Sequence, residues 1–96
     1  MRGGRAEARQ PLAMHRDHPY YADDTNGVHF EVCVDGLPVQ AYVAGAVLAR
    51  AYGPMAPGSD CVAAYLANQA PIDAVVMRRV RAEGRDTVLL RLTDLT

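Results

Sequence analysis

The chain has no lysine and no tryptophan, and only one phenylalanine and two cysteines in 96 residues. Every basic residue is an arginine, and the formal net charge is −1. Near-neutrality excludes strong general attraction to nucleic acid or anionic lipid, while leaving room for a local patch. Arginine in place of all lysine, with heavy use of alanine and valine, reads as a compositional habit of the source genome. Cys33 and Cys61 are too few and too far apart for a disulfide framework, so a reduced cytoplasmic pair is expected. No apolar run approaches the ~18 residues of a membrane-spanning helix. The N-terminus carries arginines without an apolar stretch, so no secretory signal and no membrane association are expected. No repeat or low-complexity segment is visible.

What is present centres on one stretch. Val28, Phe30, Val32 and Val34 alternate with His29, Glu31 and Cys33, the period of a strand with one buried face. Asp35-Gly36 follows, and this pair suits the two positive-φ positions of a type I′ turn. A two-residue loop then pairs Val34 with Leu37, Val32 with Val39, Phe30 with Ala41 and Val28 with Val43. All eight fall on one face, so turn chemistry and hydrophobic pattern agree on a single register. Pro38 lies opposite Cys33 with its missing N–H turned away from the first strand. That predicts an edge strand at 37–43, with any further strand joining beside 28–34. The other face carries His29, Glu31, Cys33, Gln40 and Tyr42, with His29 opposite Tyr42.

A chain this long forms one domain with a modest core. Residues 1–11 are expected as a disordered tail and 12–96 as the domain, with Met14 as an alternative start to Met1. Leu12-Ala13-Met14 is a candidate short N-terminal strand. Tyr20-Tyr21 packs where the chain enters the fold, and Asp23 to Gly27 is a turn cluster. A short helix runs from Ala46 to Tyr52 and stops at Gly53-Pro54; Ala44-Gly45 offers it no capping side chain. A second helical segment starts at Ser59-Asp60, either of which can cap it. Val62, Tyr65, Leu66, Ile72, Val75, Val76 and Val80 form its apolar stripe. Pro71 interrupts it, which predicts a kink or two helices meeting near Asn68–Pro71, and Gly84 ends it. Thr87 to Leu92 is the last strand, with Val88, Leu90 and Leu92 towards the helices and Leu89 and Arg91 on the open side.

The expectation is a two-layer α+β fold, β-β-α-α-β, with an antiparallel sheet of order 2-1-3 and helices on one face. Val34-Asp35-Gly36-Leu37-Pro38-Val39, the helix ending Ala51-Tyr52-Gly53, Tyr65-Leu66-Ala67-Asn68 before Ile72 to Arg79, and Val88-Leu89-Leu90 before Thr93-Asp94-Leu95 occur in an order that resembles the bacterial domain of unknown function 1488 family. The resemblance covers roughly residues 12–96. Members usually have a serine or similar cap at Ala44 and usually lack a proline at Pro71; both departures touch helix geometry. The resemblance implies a small α+β cytoplasmic protein and no activity.

Candidate chemistry is sparse. His29 and Cys33 share a face, but about 13 Å of strand separates them, too far for a thiolate–imidazole pair. Cys61 falls in the first turn of a helix, where a dipole lowers a thiol pKa, yet no base accompanies it. His15, His18, Asp17, Asp23 and Asp24 have no zinc-ligand spacing. The glycine-rich stretches lack the lysine and setting of a phosphate loop. No cofactor is implied. Arg78, Arg79, Arg81 and Arg85 form a basic patch able to contact phosphate, but Glu83 and Asp86 dilute it and cations suit a helix C-terminus anyway. The open sheet face, with His29, Cys33, Tyr42 and Leu89, is the leading candidate surface for a protein partner or a homodimer. A non-catalytic interaction module is therefore expected first, a weak nucleic-acid binder second and an enzyme third.

Overall fold

A computed structural model of the protein describes residues 18–95, so the expected tail at 1–11 and strand at 12–14 lie outside the described residues. The turn at Asp35-Gly36 sets the register of the sheet. Both residues have positive φ, 53° and 85°, as a type I′ turn requires. Strands β2 (Gly27–Val34) and β3 (Leu37–Ala44) close on it antiparallel, with Val34 opposite Leu37, Val32 opposite Val39, Phe30 opposite Ala41 and Val28 opposite Val43. All of these are buried except Leu37, which sits at the hairpin tip and is exposed.

Before the hairpin, β1 (Tyr20–Ala22) runs antiparallel to β2. The turn cluster joins them, with Asn26 at φ 54° and the Thr25 N–H donating to the Ala22 carbonyl at 3.3 Å. After β3 come α1 (Gly45–Tyr52), α2 (Ser59–Ala67), α3 (Gln69–Glu83), β4 (Thr87–Leu90) and a single helical turn, α4 (Leu92–Leu95). The helices cover one face of the sheet, and the core between the layers holds Phe30, Leu48, Tyr65, Ile72, Val76 and the inward valines. The α+β class with one covered face is as expected. Among the described residues no helix is long and apolar enough to cross a membrane.

The strand order differs from 2-1-3. It is β1-β2-β3-β4, and β4 lies parallel to β3, so the sheet is mixed. The place beside β2 is taken by β1. Pro38 does not bar β4 from β3, because β4 spans only Gln40 to Val43 and leaves Pro38 unopposed. The three helices carry the chain back to the end where β3 begins, and a strand starting there must run parallel. The strand also stops at Leu90, two residues early, where the chain turns into α4.

The helical segment breaks at Asn68, whose side-chain amide donates to the Ala64 carbonyl at 2.8 Å. Pro71 becomes the third residue of α3, where its missing N–H is one the helix start leaves unpaired in any case. The break gives the two halves separate faces. Tyr65, Ile72, Val75 and Val76 are buried, whereas Leu66 of the expected stripe is exposed. The α2 cap is Gly58 at φ 89°, with no side-chain cap from Ser59 or Asp60. Tyr65 stacks obliquely on Phe30, with ring centroids 4.2 Å apart, and its hydroxyl donates to Asp73 Oδ1 at 2.7 Å across the corner. Burial pushes both the Tyr65 hydroxyl and the Asp73 carboxyl up.

One glycine is held by a close approach. A Cβ on Gly27 would lie 2.5 Å from Tyr42 Cε1 and 2.6 Å from the Val43 carbonyl oxygen. The ring can swing aside; the backbone oxygen cannot. Gly27→Ala should lower stability by about 1–3 kcal/mol, read as an earlier midpoint in chemical unfolding. An unchanged midpoint would contradict the close approach of the Val43 carbonyl oxygen to Gly27.

Candidate interaction face

The uncovered face is organised in rows that cross the strands. Tyr20 is opposite His29, His29 opposite Tyr42, and Tyr42 opposite Leu89. Four large side chains, one from each strand, thus stand in a single line. At the usual strand spacing the line is about 14 Å long. Its ends are open, with Leu89 58% and Tyr20 37% exposed, and its middle is half-buried.

The line is held together from within. The Tyr20 and His29 rings stack with centroids 5.2 Å apart and 13° between planes. His29 and Tyr42 meet at 4.9 Å and 53°. The Tyr42 hydroxyl donates to the Thr25 carbonyl, and Thr25 Oγ1 lies 2.8 Å from His29 Nε2. Both bonds reach the β1–β2 turn, so that turn positions the centre of the row. On one side Ala22, Gly27 and Ala44 make a row of small residues, which lets the Tyr42 ring lie down on Gly27. On the other side stand Glu31, Gln40 and Thr87, with Gln40 Nε2 donating to Glu31 Oε1 at 3.2 Å.

Of the residues expected on this face, the row brings His29, Tyr42 and Leu89 together. Cys33 is exposed but lies towards the hairpin tip, opposite Pro38. Tyr20 was not among the expected face residues. Its signal is the alternation of an exposed Tyr20 with a half-buried Tyr21 ahead of a turn, a strand pattern only three residues long. The row offers aromatic and aliphatic contact with one imidazole, whose Nε2 is engaged by the Thr25 hydroxyl at 2.8 Å.

The arginines are arranged differently. Arg79 is largely buried. Its Nη1 donates to the Leu89 carbonyl at 2.6 Å and to Asp94 Oδ2 at 3.0 Å, and its Nε donates to Glu83 Oε2 at 3.1 Å. The Gln40 N–H takes the Asp86 carbonyl, and that alternation turns the Leu89 carbonyl to the outer edge of β4. Arg79 therefore covers part of that edge. The bond to Glu83 holds Arg79 charged and pulls the Glu83 carboxyl below its usual range. Arg81 pairs with Asp35 at 3.1 Å and Arg85 with Glu83 at 3.5 Å; Arg78 is exposed. Arg79, Glu83, Arg85, Thr87, Leu89 and Arg91 line an open depression of about 550 Å³ beside the row.

Cys61 is buried, with its Sγ 3.6 Å from the Ala56 carbonyl. Burial pushes its thiol up, Asp60 adds to this, and a backbone bond at Gly58 opposes it. Desolvation thus outweighs the helix start. Cys61 also lines a shallow pocket of about 240 Å³ with Tyr21, Asn26 and Met55. His15 and Asp17 lie outside the described residues, and among the described residues no three His, Cys, Asp or Glu side chains converge as metal ligands.

The family model described as "Protein of unknown function (DUF1488)" matches residues 15–90. No curated protein and no solved structure matches the chain.

The two thiols should separate cleanly under a disulfide reagent at neutral pH. Cys33 should react as an ordinary surface thiol, and Cys61 at least ~100-fold more slowly, because it waits on local opening. Cys33→Ser should abolish the fast phase. A fast phase surviving in that variant would contradict the burial of Cys61.

Proposed function

The chain belongs to the family of proteins of unknown function DUF1488, and from that premise we propose that it is a non-catalytic interaction module whose binding surface is the uncovered sheet face. The observation that carries this reading is the row Tyr20–His29–Tyr42–Leu89 on the face away from the helices. A single exposed leucine would need no explanation. Four large side chains in register across every strand, bordered on one side by Glu31, Gln40 and Thr87, have the composition of an interface centre. The row is also preorganised by its own stacking and by Thr25, which reduces the ordering cost of binding. Cytoplasmic location belongs to the same proposal. It is supported by two thiols on opposite faces, Cys33 exposed on the uncovered face and Cys61 under the helices.

A weak nucleic-acid contact through Arg78, Arg79, Arg81 and Arg85 has less support, since the last three each already hold a carboxylate. The two readings separate in one experiment. Immobilised protein is incubated with cell extract, with and without nuclease, alongside a Leu89→Glu bait of unchanged circular dichroism. The interaction reading expects a stoichiometric protein, which includes the chain's own untagged copy, retained through nuclease treatment and reduced at least about fivefold on the variant. Equal retention by both baits contradicts it. Material lost to nuclease and to moderate salt would favour the arginines.

A further inference from the structure

The charges that flank the aromatic row are placed so that the face is complementary to itself. β1 and β2 join at Asp23-Asp24, both exposed, at one lateral edge of the sheet. β4 ends at Arg91 on the opposite edge, at the same end of the strands, because β4 runs parallel to β3 and the Gly45 N–H bonds the Asn26 carbonyl there. Arg91 is 66% exposed and only loosely tied to Asp94, at 3.9 Å. Acid and base thus sit on opposite sides of one apolar line.

From this we infer that the partner is a second copy of the chain, stacked face to face about a twofold axis parallel to the strands and passing between His29 and Tyr42. This rests on the interaction reading above and names its occupant. Such an axis exchanges the two lateral edges and preserves the end of the sheet. It lays Leu89 of one copy over Tyr20 of the other and His29 over Tyr42, and it brings Arg91 to the other copy's Asp23-Asp24. Glu31 falls over a Gln40 amide rather than over another carboxylate. An axis perpendicular to the strands would instead set His29 against His29 and Tyr42 against Tyr42, and would bring Arg91 to the Thr87 end of β4 instead of to Asp23-Asp24. Symmetry makes each favourable pair occur twice, as an isologous interface requires. Two sheets stacked at the usual separation of about 10 Å accommodate the rings between them.

The footprint, four strands by three rows, is about 19 Å by 20 Å, which over both copies stays under the roughly 1,000 Å² of a stable interface, so the contact is a weak one. The dimer is therefore concentration-dependent. Sedimentation equilibrium of the purified full chain should show the mass rising from 10.4 kDa towards twice that value as concentration increases. Arg91→Glu alone and the double change Asp23→Arg/Asp24→Arg should each weaken the dimer by about tenfold or more, through like charges brought together. An equimolar mixture of the two variants should restore association to nearly the wild-type level, since the swapped pairs then match. These are solvent-exposed positions, and unchanged unfolding midpoints verify the fold. A dimer indifferent to the charge changes, or one weakened by them and not rescued by mixing, overturns the proposed packing. A chain that stays monomeric up to about 1 mM also overturns it. If such a chain still retains a Leu89-dependent protein from extract, only the self-pairing fails; if it retains none, the interaction reading fails with it.

Discussion

A slip of one residue in the Asp35-Gly36 hairpin would reverse the parity of one strand against the other. Either Val28, Phe30 and Val32 or Val39, Ala41 and Val43 would turn to solvent, and the outward side chains of the same strand would turn to the helices. Two positive-φ residues prevent this by closing a two-residue type I′ loop, and burial of the inward side chains reinforces it. Everything else follows from that register. The valines give the helices a surface to pack on, and the same alternation lines up the row on the other face. Core and candidate site are two sides of one constraint.

The helical layer is fastened to the sheet by a few polar anchors among mostly apolar contacts. Tyr65 puts its ring on Phe30 and its hydroxyl on Asp73, so one residue serves both the core and the α2–α3 corner. Arg79 joins α3 to the end of β4 and to α4. A largely buried guanidinium with two carboxylates and a carbonyl is satisfied geometrically, and losing one partner would cost more than the pair contributes. These anchors lie on the helix side or at the β4 edge. None covers the centre of the open face, where cross-links run within the row, to the β1–β2 turn and between Glu31 and Gln40. Among the described residues the face is ordered and no helix lies over it, which is the physical condition for a docking surface.

Local chemistry was legible in the chain and long-range pairing was not. The I′ turn, the β2–β3 register, the helix after β3, the break near Pro71 and the stop at Gly84 each rest on residues within a few positions of one another. Strand β1 is three residues long, too short for periodicity to declare, and so Tyr20 was missed as the outermost member of the row. Pro38 correctly marks a position without a ladder bond. It cannot report that β4 is short enough to pair with β3 while avoiding it, and the order and the parallel sense depend on that length. His29, Tyr42 and Leu89 were identifiable as open-face residues because their parity follows from the register. Their alignment in one row needed the position of β4. The pairing of Arg79 with Asp94 likewise depends on α4, a single turn that reads in sequence as the end of a strand.

The most direct test of the face as the working surface is a dilution series followed by amide and ring resonances. Shifts that vary with concentration should concentrate at Tyr20, His29, Tyr42, Leu89 and the flanking Asp23, Asp24 and Arg91, while α2 and the buried face of α3 stay still. Concentration-dependent shifts on the helices, with the row unmoved, would contradict the account.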